Sequence, residues 1–147
     1  MTAEATAGPH HLPVTIDDAL AERDFGEWDG LTASEIAERT PAGVALFDSS
    51  ATFAPPGGES LQAVVERAQP VLRQVARRHA GDTALVVSHK TVIRALICDV
   101  LGVPLERFRR IGQDNCALNV LRMAAGSTDV VLINDTCHLE GSEGQCA

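Results

Sequence analysis

Two stretches of the chain carry apolar residues at helical spacing. Leu61, Val64, Val65, Ala68, Leu72 and Val75 form one stripe. This predicts an amphipathic helix capped by Ser60, kinked at Pro70 and ending around His79. Val92, Ile93, Ala95, Leu96 and Val100 form the second stripe. Before it stands an apolar β-branched run, Ala84 to Val87, and between the two lies a polar corner, Ser88-His89-Lys90-Thr91. That order predicts strand, tight corner and helix, with the helix stopped by Gly102-Val103-Pro104. A shorter helix is predicted from Thr32, where Glu35 completes a capping box, to about Arg39, before Thr40-Pro41. Met1 to Ala7 reads as a short helical piece stopped at Gly8-Pro9. Leu12 to Ile16 reads as a short strand with Pro13 near its start. Ala117 to Met123 and Asp129 to Ile133 alternate as two strands joined by residues 124–128, a hairpin. Val44 to Ala54 is weakly patterned, with Phe47 and Phe53 as anchors.

The connections are informative too. Asp17 to Gly30 is a long loop dense in acids, and it holds the single Trp. Long structured loops are often functional. Pro55-Pro56-Gly57-Gly58-Glu59-Ser60 is a strong breaker. It reads as an ordered turn that delivers Glu59 and starts the helix at Ser60. No repeats occur. Residues 1–139 are read as one α/β domain, and 140–147 as a polar, glycine-rich tail that frays.

Length and composition narrow the classes. A chain of 147 residues buries a real core, about 70% of its extended surface. The net charge of −8 argues against a nucleic-acid surface. The arginine groups at Arg73, Arg77, Arg78 and at Arg107, Arg109, Arg110 read as solvated helix faces. No apolar run approaches the ~20 residues of a membrane span, and no secretory signal pattern is visible, so a cytoplasmic protein is expected. Cys98, Cys116, Cys137 and Cys146 are then expected as free thiols, with Cys98 in the core. Their spacing matches no standard zinc pattern.

The candidate chemistry centres on His89. It sits where a strand ends and a helix begins, a place where backbone N–H groups suit phosphate. The plainer alternative is that Ser88 or Thr91 caps the helix and His89 is an ordinary corner residue. His10 and His11, adjacent in a turn, read as surface residues.

Four motifs in order carry a resemblance. They are Leu20-Ala-Glu-Arg-Asp-Phe-Gly-Glu-Trp-Asp-Gly30, Pro56-Gly-Gly-Glu-Ser60, Val86-Val-Ser-His89 and Asn134-Asp-Thr-Cys-His-Leu139. Together they resemble the histidine phosphatase superfamily, also called phosphoglycerate mutase-like, from the first helix to Leu139. The corner Ser88-His-Lys-Thr91 with Gln113-Asp-Asn-Cys116 looks more like the phosphatase branches than the glycolytic mutases. The resemblance implies a three-layer α/β/α fold with a mixed, mostly parallel sheet. It implies hydrolysis of small phosphomonoesters through a phosphohistidine, without metal or other cofactor, with phosphoglycerate mutation as the enzymatic alternative. It implies that His89 holds phosphate and that Glu22, in Leu-x-Glu-x-x-x-Gly, gives a proton to the leaving oxygen. Ser88, Lys90, Glu59 and Gln113 are implied on the substrate side, and Arg67 as a brace of the fold. Lys90 is the only lysine and replaces a glycine common in the family; its ammonium either helps hold an anion or points to solvent.

One family element is not found. The nucleophilic histidine belongs to an Arg-His-Gly motif after a first strand, and the expectation is a form truncated at its N-terminus. Arg77-Arg78-His79-Ala80 has similar letters but lies at a helix end and before a strand. The lost strand would leave an open sheet edge, which invites aggregation or pairing with another chain, a homodimer included. Three readings stand: a truncated phosphatase, a pseudo-enzyme that binds phosphorylated ligands or a protein partner, and a site completed in trans.

Overall fold

The computed structural model describes residues 2–124 and 126–139. The expected tail at 140–147 and Cys146 lie outside the described residues. In order come α1 (Thr2–Ala7), α2 (Ala33–Arg39), α3 (Pro41–Ser49), α4 (Leu61–Arg78), α5 (Lys90–Leu101), β1 (Leu118–Ala124) and β2 (Ser127–Asp135). Short 3₁₀ turns link them, among them Asp18–Leu20, Gly26–Trp28 and Leu105–Arg110.

Local signals explain the helix starts. Thr32 and Glu35 form the reciprocal capping box of α2. Ser60 Oγ accepts from the Ala63 N–H at 3.0 Å and caps α4. α3 was not foreseen. Pro41 reads as a stop for α2, but it also occupies the first turn of α3, where a missing N–H costs nothing. α4 runs through Pro70 as one helix, with the ring on an exposed face.

The core lies between α4 and α5. Val64, Val65 and Ala68 of α4 pack against Val92, Ala95 and Leu96 of α5. Leu61, Cys98 and Phe108 form a second cluster beside it. Fully burying one such aliphatic side chain contributes about 1.5–3 kcal/mol. An aromatic group covers the other end. The Trp28 ring stands 5.4 Å from Phe47 and 5.8 Å from Phe53, which bears out both anchors.

The sheet differs from expectation. Among the described residues it has two strands, β1 and β2, paired antiparallel with Leu121 opposite Val130 and Ala124 opposite Ser127. This is the expected hairpin. Leu12 to Ile16 and Ala84 to Val87 belong to no strand. Both have strand-like sequences, but a strand exists only through its ladder, and neither segment has a partner there. Cys137 corrects a further expectation, since it is disulfide-bonded while Cys98 and Cys116 are free. The expectation of thiols rested on compartment, which is blind to geometry.

Candidate active site

A single open trough of about 2070 Å³ runs between residues 84–88 and β1. Glu22, Ser88, His89, Lys90 and Gln113 all line it, so five of the six expected site residues share one cavity. Glu59 does not line it.

The loop that carries Glu22 is held rigidly from behind. Arg67, on α4, donates to the carbonyls of Ala19 at 2.7 Å, Ala21 at 2.9 Å and Glu22 at 3.1 Å. The same guanidinium grips Glu59 through Nε–Oε1 at 2.8 Å and Nη2–Oε2 at 2.9 Å. Arg67 is therefore the expected brace, and Glu59 is its counter-ion. The Arg67 hydrogen bond holds the Glu59 carboxyl below its usual value and raises Arg67 in turn. Glu59 also accepts from the Asp24 N–H at 3.1 Å.

Sequence reasoning missed Arg23, which is only 2% exposed. Its Nε donates to the Glu59 carbonyl at 2.8 Å and its Nη2 to that of Phe53 at 3.1 Å. The guanidinium lies 4.4 Å from the Phe47 ring centre. Burial pushes Arg23 down to about 10, against the pull of Glu59. The only hint in sequence was its place beside Glu22.

A backbone clasp completes the support. Gly26 has φ +54°, and a Cβ there would meet Pro56 O and stand 2.5 Å from Gly58 N. Only glycine permits the two turns to approach so closely. The Glu27 N–H bonds Pro56 O, and the Glu59 N–H bonds Asp24 O, both at 2.9 Å.

At the front, the Glu22 carboxylate is half-buried and reaches the first turn of α5. It accepts from the Thr91 N–H at 3.3 Å and from the Arg23 N–H at 2.8 Å. The Ser88 hydroxyl donates to Leu20 O at 2.8 Å, tying the corner to the acid loop. His89 stands just before α5 with extended backbone, and its side chain caps nothing. His89 and Lys90 are exposed to the trough. A phosphate placed there would meet the amino end of α5, where N–H groups and the helix dipole favour anions.

Gln113 is buried, and its amide is already engaged. Its Oε1 accepts from Asn119 at 3.0 Å. Asn119 accepts from the Asn134 N–H at 3.0 Å, and Asn134 bonds Asp114. The motifs at 113–116 and 134–139 are thus joined in one polar network. His79 and His138 also line the trough. His79 follows α4, and His89 follows Ser88 at the start of α5.

Comparison with known proteins gives one family. The histidine phosphatase superfamily (branch 1) matches residues 1–136. Phosphoserine phosphatase 1 of Hydrogenobacter thermophilus is 34% identical over 140 residues, covering 95% of this chain and 66% of that protein. Glucosyl-3-phosphoglycerate phosphatase of Mycolicibacterium vanbaalenii is 30% identical, covering 76% of this chain and 52% of that protein. The solved structure of Bacillus stearothermophilus YhfR superposes with a TM-score of 0.88 at 28% identity, covering 95% of this chain and 70% of that one. The chain thus spans about two thirds of the first relative and about half of the second.

Proposed function

The chain belongs to the histidine phosphatase superfamily, branch 1, and on that premise we propose that its trough is the phosphate-binding half of a phosphomonoesterase site. The observation that carries this reading is the meeting of Glu22 and His89 at the amino end of α5, with Glu22 held to the Thr91 N–H. In the reaction, a histidine nitrogen attacks phosphorus and the ester P–O bond breaks. Glu22 gives its proton to the departing oxygen. Water then attacks the phosphohistidine, its proton returns to Glu22, and inorganic phosphate leaves. Protonated His89 and the α5 N–H groups share the charge on the equatorial oxygens. Lys90 adds a cation on the substrate side. Ser88, Glu59 and Gln113 act as positioning residues, because their polar atoms already hold the loop and the network.

The family's Arg-His-Gly nucleophile motif does not occur among the residues of this chain. His10 and His11 follow no strand among the described residues, and His79 directly follows the end of α4. By itself the chain is therefore inactive or weak, and the mixed, mostly parallel sheet belongs to the completed fold. The substrate is a small phosphomonoester, as the names of the two relatives suggest for those proteins.

The test separates binding from turnover. Inorganic phosphate, titrated against the whole chain by ³¹P NMR, is expected to bind, and His89→Ala to weaken it by about tenfold or more. Aryl phosphate turnover is expected to be near background. Phosphate binding that His89→Ala leaves unchanged overturns the site. Turnover abolished by His79→Ala overturns the assignment of the nucleophile.

A further inference from the structure

The hairpin is irregular where it meets the loop that precedes β1. Leu118 pairs with Asp135 and Val120 with Leu132, so Ile133 and Asn134 together stand opposite Asn119. The extra residue on β2 makes a bulge, a feature that re-aims side chains and is common beside functional sites. Asn134 has φ +57°, in the left-handed region that Asn enters more readily than most side chains. Its amide holds the loop. Asn134 Oδ1 accepts from the Asp114 N–H at 2.6 Å, and Nδ2 donates to Asp114 Oδ2 at 2.9 Å. Asn134 is pinned in turn, because its N–H donates to Asn119 Oδ1, and Asn119 Nδ2 donates to Gln113 Oε1, both at 3.0 Å. Gly112 leaves room for this clasp, since a Cβ there would stand 3.2 Å from Asn134 Nδ2. Gln113 is only 4% exposed. Residues 113–117, which the clasp holds, all line the trough.

We propose that Asn134 is a positioning residue of the phosphomonoesterase site. It fixes the loop at 113–117 as the wall that receives the esterified group, and it acts through Asp114 without touching the ligand. The inference rests on the phosphatase reading of the trough. The arrangement exceeds what a hairpin needs. An antiparallel ladder calls for no left-handed asparagine, and a side chain held there persists only where its surroundings over-determine it, commonly at functional sites. Here they do so three times, through the bulge, the space left by Gly112 and the paired bonds to Asp114. Asp114 is exposed, and an exposed loop without such a clasp would have to be ordered when a ligand arrives. The clasp orders it beforehand, and Asn119 extends the hold to the buried side of the loop through Gln113. Phosphate itself is held by His89 and the amino end of α5. The loop therefore acts on the group to which the phosphate is joined, and Asn134 governs an ester more than free phosphate.

The experiment compares the binding of phenyl phosphate and of inorganic phosphate to the whole chain by ³¹P NMR. Asn134→Gly keeps the left-handed backbone at no steric cost and removes only the clasp. It is expected to weaken phenyl phosphate about tenfold and inorganic phosphate by less than about twofold. The double variant Asp114→Asn with Asn134→Asp reverses the clasp, so that the amide at position 114 donates to the carboxylate at position 134. Its net charge equals that of the native chain, and its affinity for phenyl phosphate is expected within about twofold of native. Thermal unfolding confirms that each variant is folded. Four outcomes overturn the proposal: a native chain that binds free phosphate but not phenyl phosphate, phenyl phosphate affinity unchanged in Asn134→Gly, both ligands weakened alike, or no recovery in the double variant. Failure of the phosphatase reading has a different signature. The native chain then binds neither ligand, or His89→Ala leaves both unchanged, and the inference falls with that reading.

Discussion

The Arg67–Glu59 pair shows how one residue decides where another can act. Glu59 belongs to a motif of the family, yet both its oxygens face Arg67, and Arg67 spends its other donors on three carbonyls of the Glu22 loop. A carboxylate whose folded-state pKa is depressed contributes stability above its unfolded value, and that stability is lost as pH falls through the folded one. Glu59→Gln is therefore expected to lower stability at neutral pH by about 1 kcal/mol, a partly exposed pair contributing little more. It is also expected to flatten the acid limb of unfolding as pH falls below the ordinary carboxylate range. Urea titrations across that range check both effects. Equal acid sensitivity in the two proteins would show that the pair contributes nothing. The identity of Glu22 and His89 was legible in the sequence because both stand in local motifs. The roles of Arg23 and Glu59 were not, because their partners lie 36 and 8 residues away in sequence and are chosen by packing.

Among the elements, the loop at 17–31 and the turn at 55–59 behave as one unit. Gly26 is the point of closest approach between them. Gly26→Ala places a methyl group against Pro56 O and holds alanine at positive φ. An expected loss of about 3 kcal/mol follows from strain and steric conflict together. Because the clasp also aims Glu22, phosphate affinity is expected to fall in the same variant, even where it remains folded. Thermal unfolding and the ³¹P titration read the two effects apart. The helices were legible because their signals are local: Thr32 with Glu35, Ser60 with Ala63, and stripes of period 3.6. α3 escaped because Pro41 both ends one helix and begins the next.

For the molecule as a whole, the trough dominates. A domain of this size normally closes its apolar floor, and contiguous apolar surface beyond a few hundred Å² on a monomer marks an interaction site. The chain is expected to bind an apolar fluorescent dye, with emission falling by about half in Leu85→Lys. Emission unchanged by that substitution would place the apolar surface elsewhere. No described helix is long and apolar enough to cross a membrane.

The sequence by itself determined the starts of α2 and α4, the hairpin, the ordered turn before α4 and the motifs of the family. Each is decided by residues a few positions apart, through caps, fixed φ values and periodic burial. Tertiary structure alone decided which polar groups are spent on support and which face the trough. It decided, too, that the β-branched run at 84–87 is no strand among the described residues. Helical hydrogen bonds close within one segment, whereas a strand is completed only by a neighbour, and neighbours are assigned by the fold.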